Sequence, residues 1–166
     1  MKTLSCMVAF AFAAGTSFMS VEANAGQALD QALQAHCGRT TCTISNNPGG
    51  DIAVFQAAAQ EVLTEGKHLR IDGFCASACV VLADLARSNT CITADAQFAV
   101  HQASVVEVTG QQLIGGQEVP VGRLIRRENP PQSPDIDRWI QAHGGYPADG
   151  LNMIPVKAAL QFWPAC

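Results

Sequence analysis

Two periods of hydrophobic residues follow one another along the middle of the chain, and each predicts its own kind of element. Residues 40–45 are rich in β-branched side chains, which favours a strand, and apolar residues recur at helical spacing through 51–64. Residues 68–71 predict a short buried strand that Gly73 breaks, and 78–86, which contain neither Gly nor Pro, predict a second helix. This βαβα order implies an α/β fold with a mainly parallel sheet.

The rest of the chain predicts shorter elements. Residues 91–102 indicate two short β pieces separated by a turn at Asp95. Glycines and prolines recur so often through 102–134 that we expect a hairpin and an extended loop there, not a long helix. Residues 139–140 favour an amphipathic helix, and the aromatic residues at 162–163 are expected to pack the C-terminus against the domain.

The N-terminal residues have the pattern of a secretory signal peptide. A positive charge near the start is followed by apolar residues 4–14 and by the small-x-small cleavage site Ala23-Asn24-Ala25. We therefore expect residues 1–25 to be removed. Residues 26–166, beginning with a helix around 27–35, are then one exported domain, periplasmic or secreted.

The composition of the chain excludes some classes of binding partner. Hydrophobic residues make up 48% of the chain and charged residues 14%, with a formal net charge of −4, as in an ordinary globular protein. Basic residues cluster only at 123–127, so we expect no nucleic-acid partner. No run after the signal peptide approaches the about 18 apolar residues of a transmembrane helix. We therefore expect no membrane span in the mature protein.

Six cysteines remain after the predicted cleavage, and an even number in an exported chain favours disulfides. They are Cys37, Cys42, Cys75, Cys79, Cys91 and Cys166. The short spacing of the first two predicts a bridge that closes a local loop, whereas spacing leaves the other four unpaired. A zinc site is the alternative, since Cys and His bind zinc, but the spacing is unlike a zinc finger or ribbon. Its ligands would be Cys75, Cys79, Cys91 and His101. We expect disulfides and no metal.

Ser77 is the candidate nucleophile, because it lies where the second predicted strand gives way to a helix. Unpaired amides and the positive end of the helix dipole at such a junction favour developing negative charge. A plain structural alternative exists, since serine is also a preferred N-cap residue. The sequence alone leaves both possibilities open.

The glycine pair Gly49-Gly50 ends the first predicted strand. Sites in open α/β sheets form outside the carboxyl ends of the strands, so we expect this pair to lie near Ser77. With the amide of Ala78, the glycine amides then become candidate oxyanion donors, although a simple tight turn is the alternative. His101 ends a later apolar run and is the candidate general base, the alternative being a hydrogen-bonded core histidine.

Three segments together resemble a known family. They are Asn47-Pro48-Gly49-Gly50, Cys75-Ala76-Ser77-Ala78-Cys79 and the run from Cys91 to His101. In this order and at these separations they resemble the proteolytic subunit of the Clp protease, within the wider crotonase-like fold of repeated β-α-β units, and more closely its exported bacterial relatives. The resemblance covers about residues 40–101.

The resemblance implies a role for each of these positions. Ser77 would be the nucleophile, His101 the base, and the amides of Gly49, Gly50 and Ala78 the oxyanion donors. The family also uses an acid to orient the histidine, and its expected place corresponds to Asp149. The competitors are Asp135 and Asp137, which also suit the start of a helix.

Our leading hypothesis is therefore an exported serine hydrolase that cleaves peptides or unfolded protein segments without ATP and without a cofactor. A second hypothesis keeps the fold as a catalytically silent module that binds a peptide or an envelope partner. A third uses Cys75 and Cys79 as a redox pair, although they lack Cys-x-x-Cys spacing. The breakers at 102–134 replace the segment with which the family stacks into rings, so ring assembly is not expected, whereas a smaller homo-oligomer remains compatible.

Overall fold

The computed structural model describes residues 36–166. The predicted signal peptide, 1–25, and the predicted helix around 27–35 lie outside these described residues. The strands in chain order are β1 (His36–Cys37), β2 (Thr41–Asn47), β3 (His68–Ala76), β4 (Thr90–Ile92), β5 (Gln97–Val100), β6 (Ser104–Ile114), β7 (Gln117–Arg126) and β8 (Asn152–Ile154). The helices are α1 (Ile52–Thr64), α2 (Ala78–Leu85), α3 (Pro134–Ala142) and α4 (Val156–Ala159).

The central sheet is mainly parallel, as the βαβα pattern predicts. Its strand order is β1-β2-β3-β5-β8, and β4 pairs with the first half of β3, on the same side as β5, which pairs with the second half. Strand β3 runs parallel to β2, β4 and β5, while β1 and β8 are antiparallel at the two edges. Residues 36–166 thus form one mixed α/β domain, and the carboxyl ends of β2, β3 and β5 meet at one edge.

Local chemistry fixes the bounds of α1. Asp51 caps the helix, because its carboxylate accepts a hydrogen bond from the Ala53 amide at 2.8 Å. The helix ends before Gly66, whose φ of 63° is a left-handed conformation that closes a helix. Buried positions such as Phe55, Ala59 and Val62 face the core. Helix α1 therefore returns the chain to the start of β3.

The prediction that Gly73 breaks the second strand is wrong. Strand β3 passes through Gly73 and continues to Ala76, and so is nine residues long. The register of β2 against β3 shifts between Ile44 and Asn46, and a Cβ at Gly73 would collide with the main-chain carbonyl of Ser45. Glycine in this strand thus permits the close approach of the neighbouring backbone. In the sequence, a glycine with this role looks the same as one that ends a strand.

The C-terminal residues pack into the core, as predicted. Trp163 is buried, stacks on Phe98 with ring centroids 4.5 Å apart, and donates from Nε1 to the carbonyl of Ala83 at 2.9 Å. The Cys91–Cys166 disulfide then joins the last residue to β4. The cysteines thus pair as Cys37–Cys42, the predicted bridge, together with Cys75–Cys79 and Cys91–Cys166. Three such bridges are typical of exported proteins.

An ionic network holds α3 against α2. Buried Asp84 accepts hydrogen bonds from the amide and hydroxyl of Ser133 at 2.6 and 2.7 Å. Arg87 donates to both Asp84 and Asp135, with shortest contacts of 2.7 Å to each. This hydrogen bonding from Arg87 lowers the pKa of the Asp135 carboxyl. Asp135 therefore anchors a helix start.

Strands β6 and β7 form the hairpin expected between 102 and 134, and residues 127–133 follow without regular structure. Val106 and Leu124 pair across the two strands, and both side chains are exposed. Among residues 36–166, no helix is long and apolar enough to cross a membrane.

Candidate active site

Ser77 occupies a sharp turn between β3 and α2. Its φ of 56° and ψ of −121° make it the only non-glycine residue in the described part of the chain with a positive φ. Its amide still pairs with the sheet, donating to the carbonyl of Ala99 at 2.9 Å, and its hydroxyl makes no capping hydrogen bond. The hydroxyl therefore does not act as the N-cap group that the structural alternative requires. Strained backbone of this kind is concentrated at functional sites.

Gly49 lies directly against this turn. A Cβ there would fall 2.6 Å from the carbonyl oxygen of Ala76 and 2.7 Å from the Cβ of Ser77, and the φ of Gly49 is 88°. The expectation that the glycine pair and the serine turn meet is thus confirmed. Any larger side chain at position 49 would displace the serine.

The three predicted oxyanion amides differ in whether they already donate a hydrogen bond. The Gly49 amide is already used, since it donates to Oδ1 of Asn47 at 2.9 Å. Within residues 36–166, the amides of Gly50 and Ala78 donate no hydrogen bond. Gly50 and Ser77 line one cleft, and Ala78 is the first residue of α2. Two unpaired amides beside a nucleophile are what an oxyanion requires.

The Cys75–Cys79 disulfide spans the serine turn. Cys75 lies in β3 and Cys79 in the first turn of α2, so the bridge joins the two elements on either side of Ser77. Both cysteines are fully buried in the core. The bridge therefore braces the turn from beneath and leaves the cleft side free. With Cys91 bonded to Cys166, it also commits the three cysteines of the zinc alternative to disulfides.

His101 follows the end of β5, one strand across from Ser77. Ala99 pairs with Ala76, which places the residues after both strands side by side. His101 and Ser77 line the same open cleft, of about 280 Å³, together with Gly49 and Gly50. Among the described residues, no hydrogen bond joins the Ser77 hydroxyl to the ring. The Nδ1 atom instead lies 2.8 Å from the carbonyl oxygen of Gln102.

The three candidate acids have other partners. Asp149 has a side chain that is 96% exposed and pairs with Arg126 at 3.5 Å. Asp135 belongs to the ionic network of α3, and Asp137 accepts a hydrogen bond from the Tyr146 hydroxyl at 3.2 Å. In residues 36–166, no carboxylate is hydrogen-bonded to His101. Burial, reinforced by Asp137, raises the pKa of Tyr146, so its hydroxyl stays protonated.

Asn129 is a site residue that the sequence analysis missed. Its side chain donates to the carbonyl of His101 at 3.2 Å and accepts from the amide of Ala103 at 2.6 Å. It also lines a small pocket that adjoins Ser77 and His101. The only sequence signal was its place before Pro130-Pro131, which predicted an extended loop and gave no hint of its partners.

That small pocket has mostly apolar walls and opens beside Ser77. Its apolar lining comes from Ile52, Val81, Val100, Ala103 and Pro130. A larger cavity, of about 560 Å³, shares residues of the 129–132 segment with this pocket and borders neither Ser77 nor the free amides. The chemistry-bearing groups are therefore gathered in the cleft and its apolar side pocket.

Comparison of the chain with models of known protein families finds no match, and comparison with curated protein sequences finds none either. Inference about function therefore starts from the geometry of this cleft.

Proposed function

We propose that the protein is an exported serine hydrolase that cleaves peptide bonds without ATP. Ser77 would be the nucleophile and His101 the general base. The amides of Gly50 and Ala78 would bind the oxyanion, while Gly49 provides the close approach that brings the glycine loop to the serine. The proposal agrees with the resemblance to the Clp protease proteolytic subunit, and it rests on the site itself.

The backbone conformation of Ser77 carries the proposal. A φ of 56° with a ψ of −121° is favourable for glycine and costs a serine about 1–3 kcal/mol. A strained serine between a strand and a helix holds its Oγ out of the sheet, as in the nucleophile elbow of other serine hydrolases. Because the hydroxyl makes no capping bond, helix stability does not explain why serine is present.

The reaction would follow the usual course of acyl transfer. Ser77 Oγ attacks the acyl carbon, its proton passes to Nε2 of His101, and the amides of Gly50 and Ala78 stabilise the oxyanion. The intermediate collapses as the histidine returns the proton to the leaving amine. Water, deprotonated by the same histidine, then releases the acyl group and restores the serine.

Two features support a peptide as the substrate. The apolar pocket beside Ser77, of about 20 Å³, has room for a methyl-sized group next to the scissile carbonyl and for nothing larger. Strand β6 begins at Ser104, which lines the cleft, and in the described part of the chain only β7 pairs with it. An extended peptide can hydrogen-bond to a free strand edge of this kind.

The test is labelling of the oxidised mature protein with a fluorophosphonate, followed by intact-mass measurement. We expect one adduct on the wild type and none on Ser77→Ala or His101→Ala. Ser104→Ala is the matched control, because this second serine lines the same cleft and its variant should be labelled like the wild type. Labelling that survives Ser77→Ala would contradict the assignment of the nucleophile.

The second candidate function is a catalytically silent module that binds a peptide in the same cleft. It is favoured by the lack of a Ser77–His101 hydrogen bond within residues 36–166. A folded wild type that takes up no label but binds extended peptides, measured by fluorescence anisotropy, would support this function over hydrolysis.

A further inference from the structure

The group that orients the catalytic histidine is the main chain beside it. A histidine base must carry its proton on one ring nitrogen and present the other to the nucleophile. Nδ1 of His101 lies 2.8 Å from the carbonyl oxygen of Gln102, and a carbonyl can only accept. The neutral ring therefore holds its proton on Nδ1, and Nε2 is left with the lone pair that a general base needs.

This carbonyl is held in place by its neighbours on both sides. The amide of Gln102 donates to the carbonyl of Pro147 at 2.9 Å, and the amide of Arg127 donates to the carbonyl of Ala103 at 2.8 Å. Asn129 then uses both ends of its side chain on the peptide groups that flank Gln102, one as donor and one as acceptor. Three consecutive residues, 101–103, are thereby pinned in one conformation.

Asn129 is the side chain that hydrogen-bonds to the peptide groups on both sides of Gln102. Its Nδ2 donates to the carbonyl of His101 at 3.2 Å, and its Oδ1 accepts from the amide of Ala103 at 2.6 Å. The Ala103 amide belongs to the same peptide group as the Gln102 carbonyl, so losing the Asn129 bonds would let this group rotate and its carbonyl leave Nδ1, even though Gln102 and Ala103 keep their bonds to Pro147 and Arg127. The ring would then lose both its preferred tautomer and its direction toward Ser77.

We propose that the site is a Ser77–His101 dyad in which Asn129 is the positioning residue, acting through the carbonyl of Gln102, and in which Asp149 takes no part. This inference rests on the proposed function and names the group that replaces the acid of a triad. Asp149 borders one surface cavity with His101, but its carboxylate is solvent-exposed and pairs with Arg126 instead of the ring. The imidazolium formed during catalysis is then stabilised by a peptide dipole instead of a full negative charge.

The experiment measures the rate of fluorophosphonate labelling of Ser77 in Asn129→Ala, Asn129→Asp and Asp149→Asn. Asn129→Asp is nearly isosteric and keeps the acceptor for Ala103, but it removes the donor to the carbonyl of His101. We expect both Asn129 variants to lose about 10- to 100-fold in rate, the usual effect of a small misplacement of a reacting group. Asp149→Asn should stay within about twofold of the wild type, because this carboxylate is exposed and is not hydrogen-bonded to the ring.

A second readout separates positioning from general loosening of the fold. Nitrogen-15 spectra of histidine-labelled protein, with His101→Ala to assign the signals, report which ring nitrogen carries the proton. We expect the Nδ1–H form in the wild type and in Asp149→Asn, and growth of the Nε2–H form in Asn129→Asp. Urea unfolding of the same variants gives their stability independently.

Three results would overturn the dyad. They are loss of labelling in Asp149→Asn, unchanged labelling in both Asn129 variants, or an Nε2–H tautomer in the wild type. Failure of the proposed function looks different, because the wild type itself would then take up no label. In that case the nitrogen-15 spectra still decide whether the loop holds the proton of His101 on Nδ1.

Discussion

Replacing Ser77 by glycine is expected to stabilise the protein while it abolishes activity. The φ of 56° and ψ of −121° at this residue cost a side chain about 1–3 kcal/mol, and glycine avoids that cost. Glycine loses about 0.5–1 kcal/mol more conformational entropy on folding. The net gain is about 1 kcal/mol, roughly a fivefold shift of the unfolding equilibrium and about 4 °C in Tm.

Ser77→Ala is the matched control, because it removes the hydroxyl and keeps the Cβ. The hydroxyl makes no capping bond, so Ser77→Ala should unfold within about 0.5 kcal/mol of the wild type. Urea unfolding of oxidised protein, with equal m-values for the three forms, measures both differences. If Ser77→Gly unfolds at the same urea concentration as Ser77→Ala or below it, the turn is not strained. The main support for a nucleophile at this position would then be gone.

Three further predictions test the surroundings of the site. Gly49→Ala should lower the free energy of unfolding by more than the about 1–2 kcal/mol of a left-handed alanine, and it should abolish labelling, because its Cβ meets Ser77. Gly66→Ala is the control: it has open space around it and should lose only the backbone part in the same urea assay. Cys166→Ala opens a bridge of sequence separation 75 and should lower the free energy of unfolding by about 4.5 kcal/mol, whereas Cys37→Ala opens one of separation 5 and should cost about 2 kcal/mol. Arg87 lowers the pKa of Asp135 in the folded protein. This carboxylate therefore stabilises the fold at pH values above its unfolded pKa of about 3.9, and the stabilisation is lost as the pH falls through its folded pKa. In thermal melts, Asp135→Asn should be less stable than the wild type at pH 6, and the difference should shrink below pH 4.

The periodic part of the fold could be predicted from sequence because its signals are local. Helix α1 has an aspartate cap, a helical repeat and a closing glycine, and its predicted bounds differ from the observed ones by one residue. Gly73 shows the limit of such signals. Its role depends on the carbonyl of Ser45 in the neighbouring strand, and nothing within a few residues of Gly73 reports that contact.

The candidate site also has some features that could be predicted from the sequence and others that were missed. The closeness of the glycine pair to Ser77 follows from parallel topology, and so it could be predicted before any contact was known. The ranking of the oxyanion amides was missed although its signal is local: the side chain of Asn47 accepts from the Gly49 amide two residues later, as in an Asx turn. Asn129 was missed because its contacts are with main-chain atoms 26 and 28 residues away, and an asparagine before two prolines has no periodic pattern.

The two halves of the site are held by different means, and this makes them separable. The serine turn is fixed by the sheet and by the Cys75–Cys79 bridge, whose cysteines are buried in the core, and by the approach of the half-buried Gly49. The histidine loop is held by hydrogen bonds from residues 127–147, which lie mostly at the surface. Since global stability resides mainly in the core, changes in these surface contacts should alter the reactivity of Ser77 with little effect on unfolding. In the proposed mechanism, the core would position Ser77, and the loop that follows the hairpin would control whether His101 reaches it.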